Sequence, residues 1–579
     1  MQKLLIWNLD DVQHADPESA ELMYHIVQAK IPIVLIFTYV DEETLPRELR
    51  PLLRSATKVQ LTPFTEEQTA QYVAETLHRD QEYILPLVAV IQEKSHGNLF
   101  YIRELLDTCF RKQCVFYSWR ENNWLFDLDK VFEVFESPEY GSSVTNDFIA
   151  KRLLELPPET KKLIAWASLL GTSFSFDLVR QLMVPRTVPA DAKRIPFLTG
   201  EECPVSALNA ALNAYVLMPA EQDARFRFSH DRYLTAASSA IDKEWDTQRM
   251  HFLIAKVVSG VDYRDDSITS SKALYMRSRH ICLAAELIKS CETNRAGYRD
   301  VLYMAGETAI LSGARSTGIY YLVHALMLLQ DDPWDEKRSD VSYQETLQLF
   351  VRSAECYWHQ GMLDEAMSLI RTTFRNARDP TDMASSFVLQ SRVFAVRGDS
   401  FGAFQALRDC LSLLGVPIPP TSWEICDEEF QKIYAKMQSV DKEKLLSRQA
   451  PTDDRTLMTL GPLFIELLSA AFWSNSLLFY QASLKLVGIH LERGTMPQVA
   501  LAYMHLGTVA GGRFQMFKFA SEMGAFAKRL LQIFPEDSYT IGRTQSLHPL
   551  FLGHLETPIR HLIPSLEEAL ESTLTVRRS

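Results

Sequence analysis

The 579-residue sequence has no excess of basic residues: 60 Lys and Arg stand against 73 Asp and Glu, a formal net charge of −13. A chain whose work is to grip nucleic acid carries a basic face and a basic balance, and no run of Lys and Arg here offsets the deficit. The cysteines form no pattern. Cys109, Cys114, Cys203, Cys282, Cys291, Cys356, Cys410 and Cys426 are scattered, with no C-x-x-C pair and no partner histidines at zinc spacing. That excludes a zinc motif and points to free or buried thiols of a reducing compartment. No uninterrupted apolar run reaches the roughly eighteen residues of a membrane span. The longest, Ile31 to Tyr39, is broken by Pro32 and has the length of a buried strand. Met1-Gln2-Lys3 leads into a short apolar run that soon meets Asp10 and Asp11, which is not the pattern of a signal peptide. Nowhere is there a G-x-x-x-x-G-K-[ST] segment, the loop whose backbone N–H groups and Lys hold nucleotide phosphates. The expectation is a soluble cytoplasmic protein with no membrane segment and no nucleic-acid partner.

What is present is the ordinary mixture of a globular protein, 47% apolar and 23% charged, in a chain too long for one core. Leu4 to Leu9 is a short apolar run ending in Asp10 and Asp11. In a parallel α/β sheet such a run is a strand buried on both faces, and ligands sit at its carboxyl end. A second such run spans Ile31 to Tyr39. Between them, Asp16-Pro17 is a helix start, and Leu22, Met23, Ile26 and Val27 fall on one side of a helix running to Lys30. Strand, helix, strand in this space is a βαβ unit. Paired acids at a strand end have two readings, a surface turn or cap, and the Walker B position where one carboxylate holds Mg²⁺ through water and its neighbour orients the attacking water.

Asp10-Asp11-Val12-Gln13-His14-Ala15-Asp16 resembles the D-D-x-Q-W-A-D stretch of the STAND-type signalling ATPases, whose relatives include MalT-like transcription regulators and the ATPase modules of multidomain kinases. Ile31-Pro32 through Thr38-Tyr39-Val40-Asp41-Glu42-Glu43 is similar to the family's next strand. Leu61-Thr62-Pro63-Phe64 and Lys94-Ser95-His96-Gly97-Asn98-Leu99-Phe100-Tyr101-Ile102-Arg103-Glu104-Leu105 resemble its following two blocks. The resemblance implies that Asp10 holds Mg²⁺ through water with Asp11 as its catalytic partner, and that Thr38 lies on the nucleotide side. It implies ATP and Mg²⁺ as cofactors only if the missing phosphate loop is supplied by the intact protein, and no metal beyond Mg²⁺ at Asp10. Two departures count against nucleotide use: Val40 stands where the family often has Arg, and Leu99 replaces the Pro of G-N-P. Since the chain starts at the Walker B strand, it reads as a piece of a larger ATPase.

Farther on, Cys114-Val115-Phe116 and Trp124-Leu125-Phe126-Asp127 flank a polar turn, the pattern of a β-hairpin, and 137–143 reads as a boundary. From Asn146 the pattern is helical, with Pro157-Pro158 a stop, a helix from Glu159 to Leu170 closed by Gly171, and aromatic residues after it. This arrangement resembles the winged-helix domain of STAND ATPases, here with the charge of a packing element and not of a DNA reader. Arg225-Phe226-Arg227-Phe228-Ser229-His230-Asp231 contains a His-Asp pair, but no second His and Asp complete a metal site. The reading that fits is a strand through Phe226 and Phe228, then a helix with His230 as cap or bridge. The stretch also resembles the F-x-F-S-H-D block that follows the winged helix in multidomain kinases.

Beyond residue 260 the repeats are helical. Gly361 and Gly398 each follow an aromatic by four residues and precede Ala by five, 37 residues apart, close to the period of about 34 of a tetratricopeptide repeat. Ala305-Gly306 with Gly313-Ala314 is an earlier degenerate copy, and the stretch from Ala502-Tyr503 to Ala525 a later one. The expected fold is α/β, a partial P-loop NTPase sheet in 1–135, followed by all-α: a winged-helix-like domain in 140–260 and a TPR-like α-solenoid in 265–579. The order resembles the central region of fungal hybrid histidine kinases. The resemblance implies a regulatory, nucleotide-switched region of a phosphorelay protein, without a complete active site of its own. Its partners are then other domains of the same protein, or proteins bound by the repeats. The alternatives are a nucleotide-independent helical-repeat scaffold and the regulatory part of a MalT-like regulator, which needs a C-terminal helix-turn-helix that the sequence does not contain.

Overall fold

The computed structural model describes residues 5–29, 32–54, 56–136, 146–185, 194–198, 202–220, 225–258, 270–335, 337, 340–447, 454–535, 537–567 and 569. The boundary read at 137–143 lies outside them. The chain divides into two compact units, Met1–Arg152 and Leu153–Ser579, and most of the described residues are helical.

In the first unit, β1 (Leu5–Leu9) pairs in parallel with β2 (Ile33–Phe37), Leu5 opposite Ile33 and Leu9 opposite Phe37. Between them runs α1 (Pro17–Gln28), with Pro at its first position and the Asp16 carboxylate accepting the Ser19 N–H at 2.8 Å, a start that satisfies an otherwise orphaned donor. Trp7, Leu9 and Phe37 pack on a core of Ala20, Met23, Leu45, Leu49, Leu52 and Leu53. The other face is bare: Ile6, Val34 and Ile36 are 63%, 41% and 51% exposed. This corrects the expectation of strands buried on both faces. Strand side chains alternate between faces, and among the described residues of this unit only the α1 and Arg50–Arg54 side of the pair is covered.

Three helices follow, α2 (Glu66–Leu77), α3 (Gln81–Ser95) and α4 (Leu99–Arg111). Thr65 and Gln68 form a reciprocal capping box on α2. The blocks Leu61–Phe64 and Lys94–Asn98 meet here: Phe64 N–H donates to Gly97 O at 2.8 Å, and Gln92 Nε2 donates to Phe64 O at 3.0 Å. Gly97 sits at φ +74°, and a Cβ there would lie 2.2 Å from Phe64 O. Leu99 is the first residue of α4, and the turn before it is held by Asn98, whose side chain accepts from Phe100 and Tyr101 N–H. A first helical position accepts Pro or a good helix former alike, so Asn98 and Gly97 shape this turn without the proline. The hairpin expected from the sequence is present as antiparallel β3 (Val115–Ser118) and β4 (Asn123–Phe126), before α5 (Leu128–Glu136).

The division between units falls in α6 (Asn146–Leu154). The second unit opens with α7 (Pro158–Leu170), β5 (Ser173–Ser175), α8 (Phe176–Met183), α9 (Pro204–Asn213), β6 (Leu217–Pro219) and β7 (Arg225–Phe228). β7 is central, antiparallel to both β5 and β6. Then come α10 (Asp231–Glu244), α11 (Thr247–Val258), α12 (Ser270–Leu283) and α13 (Ala285–Cys291).

From here helices pack against their chain neighbours: α14 (Ala296–Leu311) on α15 (Arg315–Met327), α16 (Tyr343–His359) on α17 (Leu363–Asn376), and α18 (Pro380–Val396) on α19 (Ser400–Leu413). Gly313, Gly361 and Gly398 stand between the members of these three pairs, all at positive φ, where a left-handed residue ends one helix and glycine carries no Cβ penalty. Arg299 ties α14 to α16. Its fully buried guanidinium meets Asp340 at 3.1 Å and Glu345 at 2.6 and 3.0 Å.

The rest of the unit is α20 (Trp423–Ser439), α21 (Lys442–Ser447), α22 (Arg455–Ser474), α23 (Ser476–Arg493), α24 (Val499–Phe514), α25 (Phe517–Leu531) and α26 (Ser538–Phe551). They share one core with α19, in which Phe430 stacks on Phe514 with centroids 4.3 Å apart. Arg455–Phe472 is long and apolar enough to cross a membrane, but half of it is buried inside the fold, with Leu460, Phe464 and Leu467 in that core. The eight cysteines are unpaired and six are buried. Burial pushes the Cys282 and Cys410 thiols up to about 12.

Gly97→Ala is expected to cost about 2–4 kcal/mol, from backbone strain and a clash with a carbonyl that cannot move aside, whereas Leu99→Pro is tolerated; urea denaturation of both variants checks this. The second unit is expected to weaken in mild acid. Burial holds His280 and His505 down to about 3, and His548 to about 4. Each therefore stays neutral when folded but takes a proton when unfolded below the ordinary histidine value near 6.5. This stability is fully present above that value and declines as pH falls, by about 2 kcal/mol per fully buried ring between roughly pH 6.5 and 5. Denaturation midpoints across that range read it directly.

Candidate functional site

The carboxyl ends of β1 and β2 bring the three sequence-selected residues together. Asp10 follows β1 and Thr38 follows β2, one step past the Leu9–Phe37 pair. The Thr38 hydroxyl donates to the Asp10 carboxylate and accepts the Asp11 N–H at 3.0 Å. The main chain repeats the link: Thr38 N–H donates to Leu9 O at 3.0 Å and Val12 N–H to Thr38 O at 3.1 Å. One hydroxyl thus fixes one carboxylate by its side chain and the next by its backbone.

Asp11 occupies the left-handed region at φ 53°, ψ 44°, uncommon for a residue with a Cβ though least so for Asp and Asn. Its carboxylate accepts from Gln13 Nε2 at 2.9 Å. The turn swings the chain away from the sheet into Val12, which is buried, and leaves both acids exposed. The motif itself assigns Gln13 no role; its grip on Asp11 becomes visible only when the turn closes.

Oxygen-only donors of this kind suit Mg²⁺, which keeps several waters and one or two carboxylates. The residues therefore fit the acidic half of a magnesium–nucleotide site. Two cations of the neighbouring segment are engaged elsewhere, and the Val40 position supplies none. Val40 is 79% exposed, Lys58 pairs with Glu42 at 2.6 Å, and Arg50 donates to Glu43 O at 2.7 Å and Leu45 O at 3.1 Å. Among the described residues no three His, Cys, Asp or Glu converge as a metal site.

The His-Asp pair of the second unit lies elsewhere in chemistry. His230 Nδ1 accepts the Arg232 N–H at 3.2 Å, beside the first turn of α10. The strand through Phe226 and Phe228 is β7. The notable side chain of that motif is one the sequence did not single out: Arg225 is buried, and donates to the Ser173 carbonyl at 3.1 Å across the sheet.

Asp11→Gly is expected to hold or raise stability by up to about 1 kcal/mol, because it relieves a left-handed backbone. Thr38→Val is expected to lower it by about 1 kcal/mol through the lost hydrogen bonds. Opposite signs in thermal denaturation would mark Asp11 as a position where stability is given up for placement of a carboxylate.

No established family model matches the chain. Curated proteins do resemble it. It is 22% identical to the peroxide stress-activated histidine kinase mak3 of Schizosaccharomyces pombe over 476 residues, 81% of this chain and 19% of that protein. It is 22% identical to the peroxide stress-activated histidine kinase mak2 of the same organism over 509 residues, 86% of this chain and 21% of the relative. To the hybrid signal transduction histidine kinase G of Dictyostelium discoideum it is 19% identical over 565 residues, 86% of this chain and 16% of the relative. The chain spans about a fifth of the length of the curated relatives it matches. It is similar to histidine kinases of signal transduction and corresponds to one region of such signalling proteins.

Proposed function

We propose that this chain is the regulatory region of a phosphorelay-type signalling protein, in which a nucleotide held at Asp10, Asp11 and Thr38 switches the arrangement of the helical units. The observation that carries the reading is the Asp10–Thr38–Asp11 corner at the carboxyl end of two parallel strands, where open α/β sheets bind ligands. Asp10 would hold Mg²⁺ through water, and Asp11 would orient the attacking water. When bound, Mg²⁺ neutralises charge on the phosphates. The bare face of Ile6, Val34 and Ile36 supports the idea of a further layer packed on this side of the pair, since a two-stranded sheet is marginal by itself.

The second unit supports the rest of the reading. A three-stranded antiparallel sheet with α7, α9 and α10 against it is compatible with a winged-helix-like lever. Helix pairs joined through Gly313, Gly361 and Gly398 fit a TPR-like array, whose stacked repeats relay or bind. A second reading, a scaffold that no longer uses nucleotide, is favoured by the exposed Val40, which stands where the resembled family often has Arg.

The test is hydrogen exchange on the full-length gene product, with and without Mg·ATP. Protection is expected at residues 5–14 and 33–40 and in the helical array, and Asp10→Asn is expected to abolish both while leaving the unliganded exchange unchanged. Exchange that ignores Mg·ATP in the unaltered protein would sink the switch and leave the scaffold.

A further inference from the structure

Within the second unit, Leu170, β5 and β7 face α12 and α15 across a cleft of about 770 Å³, a size typical of small-molecule sites. Its walls carry three cations, Arg225 from β7 and Lys272 and Arg279 from α12. Among the described residues no Asp or Glu lines it, although acids outnumber bases by thirteen in the whole chain. Such a local reversal of sign attracts anions that the rest of the surface repels.

The remaining polar lining is made of neutral donors. Burial raises the Tyr320 phenol and pushes that of Tyr321 up to about 12. His280 is buried with its Nδ1 2.8 Å from His251 Nδ1, and burial followed by that neighbour holds it neutral. The aromatic wall is ordered: Tyr275 and Tyr321 are stacked, 6.1 Å apart at 23°, and Tyr320 stands edge-on to Tyr321 at 5.6 Å. Arg225 is positioned before any ligand arrives, with Nη2 and Nε donating to the Ser173 carbonyl and hydroxyl at 3.1 and 3.4 Å. Arg279 and Lys272 are exposed, and Tyr320 is 46% exposed.

We propose that this cleft binds a small phosphorylated molecule with a planar body, of which a nucleoside monophosphate is the representative: Arg225, Lys272 and Arg279 take the phosphate and the tyrosine rings take the base. Guanidinium forks match phosphate geometry and aromatic faces stack any base. The tyrosine wall favours this over a free inorganic anion. The site is separate from Asp10 and Asp11, needs no metal, and does not depend on the nucleotide-switch reading.

The experiment is titration calorimetry of the 579-residue chain with AMP, adenosine, inorganic phosphate and a phosphotyrosine peptide, all in EDTA. AMP is expected to bind more tightly than phosphate or adenosine, and more weakly as salt rises. The paired substitution Lys272→Ala and Arg279→Ala removes exposed side chains, leaves the fold intact, and is expected to weaken AMP about tenfold or more through the lost charge-assisted hydrogen bonds. Tyr320→Ala is expected to weaken AMP and leave phosphate unchanged. The proposal is overturned by AMP binding that ignores the paired substitution, by no measurable AMP binding, or by a phosphopeptide that binds where AMP does not.

Discussion

Apolar helix faces wider than one partner can cover are the constraint on which this structure rests. A helix with a single apolar stripe is satisfied by one neighbour, but α23 and α24 are apolar nearly all round, with Leu478, Leu484, Leu486 and Val487 buried on one and Val499, Leu501, Tyr503 and Leu506 on the other. Each must be enclosed by helices on both sides. The fold therefore continues until further helices enclose them, and α20, α22, α25 and α26 do so around these two. The same demand, met pair by pair, carries the chain from α14 to α19.

Polar groups trapped by that packing are satisfied locally. His490 lies fully buried between the Tyr503 hydroxyl at 2.9 Å and the Thr495 hydroxyl at 3.0 Å. Asp340 is deeply buried, and burial by itself would raise its carboxyl. Hydrogen bonds from Gln330, the Arg295 N–H and Arg299 outweigh that and hold it below the usual carboxylate range. These groups fix which helix faces which, a question that apolar surface leaves open because it packs without direction.

The two sites differ in how they depend on the fold. The Asp10–Thr38 corner is local: a parallel pair in register and one left-handed residue suffice to build it. The cleft is assembled from the small sheet and from α12 and α15, segments far apart in the chain, and exists only because helix packing sets their distances.

Sequence alone determined the elements whose signals are short-range. β1, α1 and β2 lie where apolar runs and the Asp16-Pro17 start placed them, the hairpin at 115–126 is set by its polar turn, and Gly361 and Gly398 mark two helix pairs. Asp10 and Asp11 stand out in the sequence as paired acids at a strand end and Thr38 only through the resemblance; that the three meet is decided by the β1–β2 register. Tertiary structure decided that the β1–β2 pair is covered on one face only, since a period of two names two faces but not what covers them. It also decided that Arg225 is buried beside Phe228 in its motif, and that Arg299 locks α14 to α16. Burial of a cation depends on partners more than forty residues away, and no local pattern records a partner at that distance.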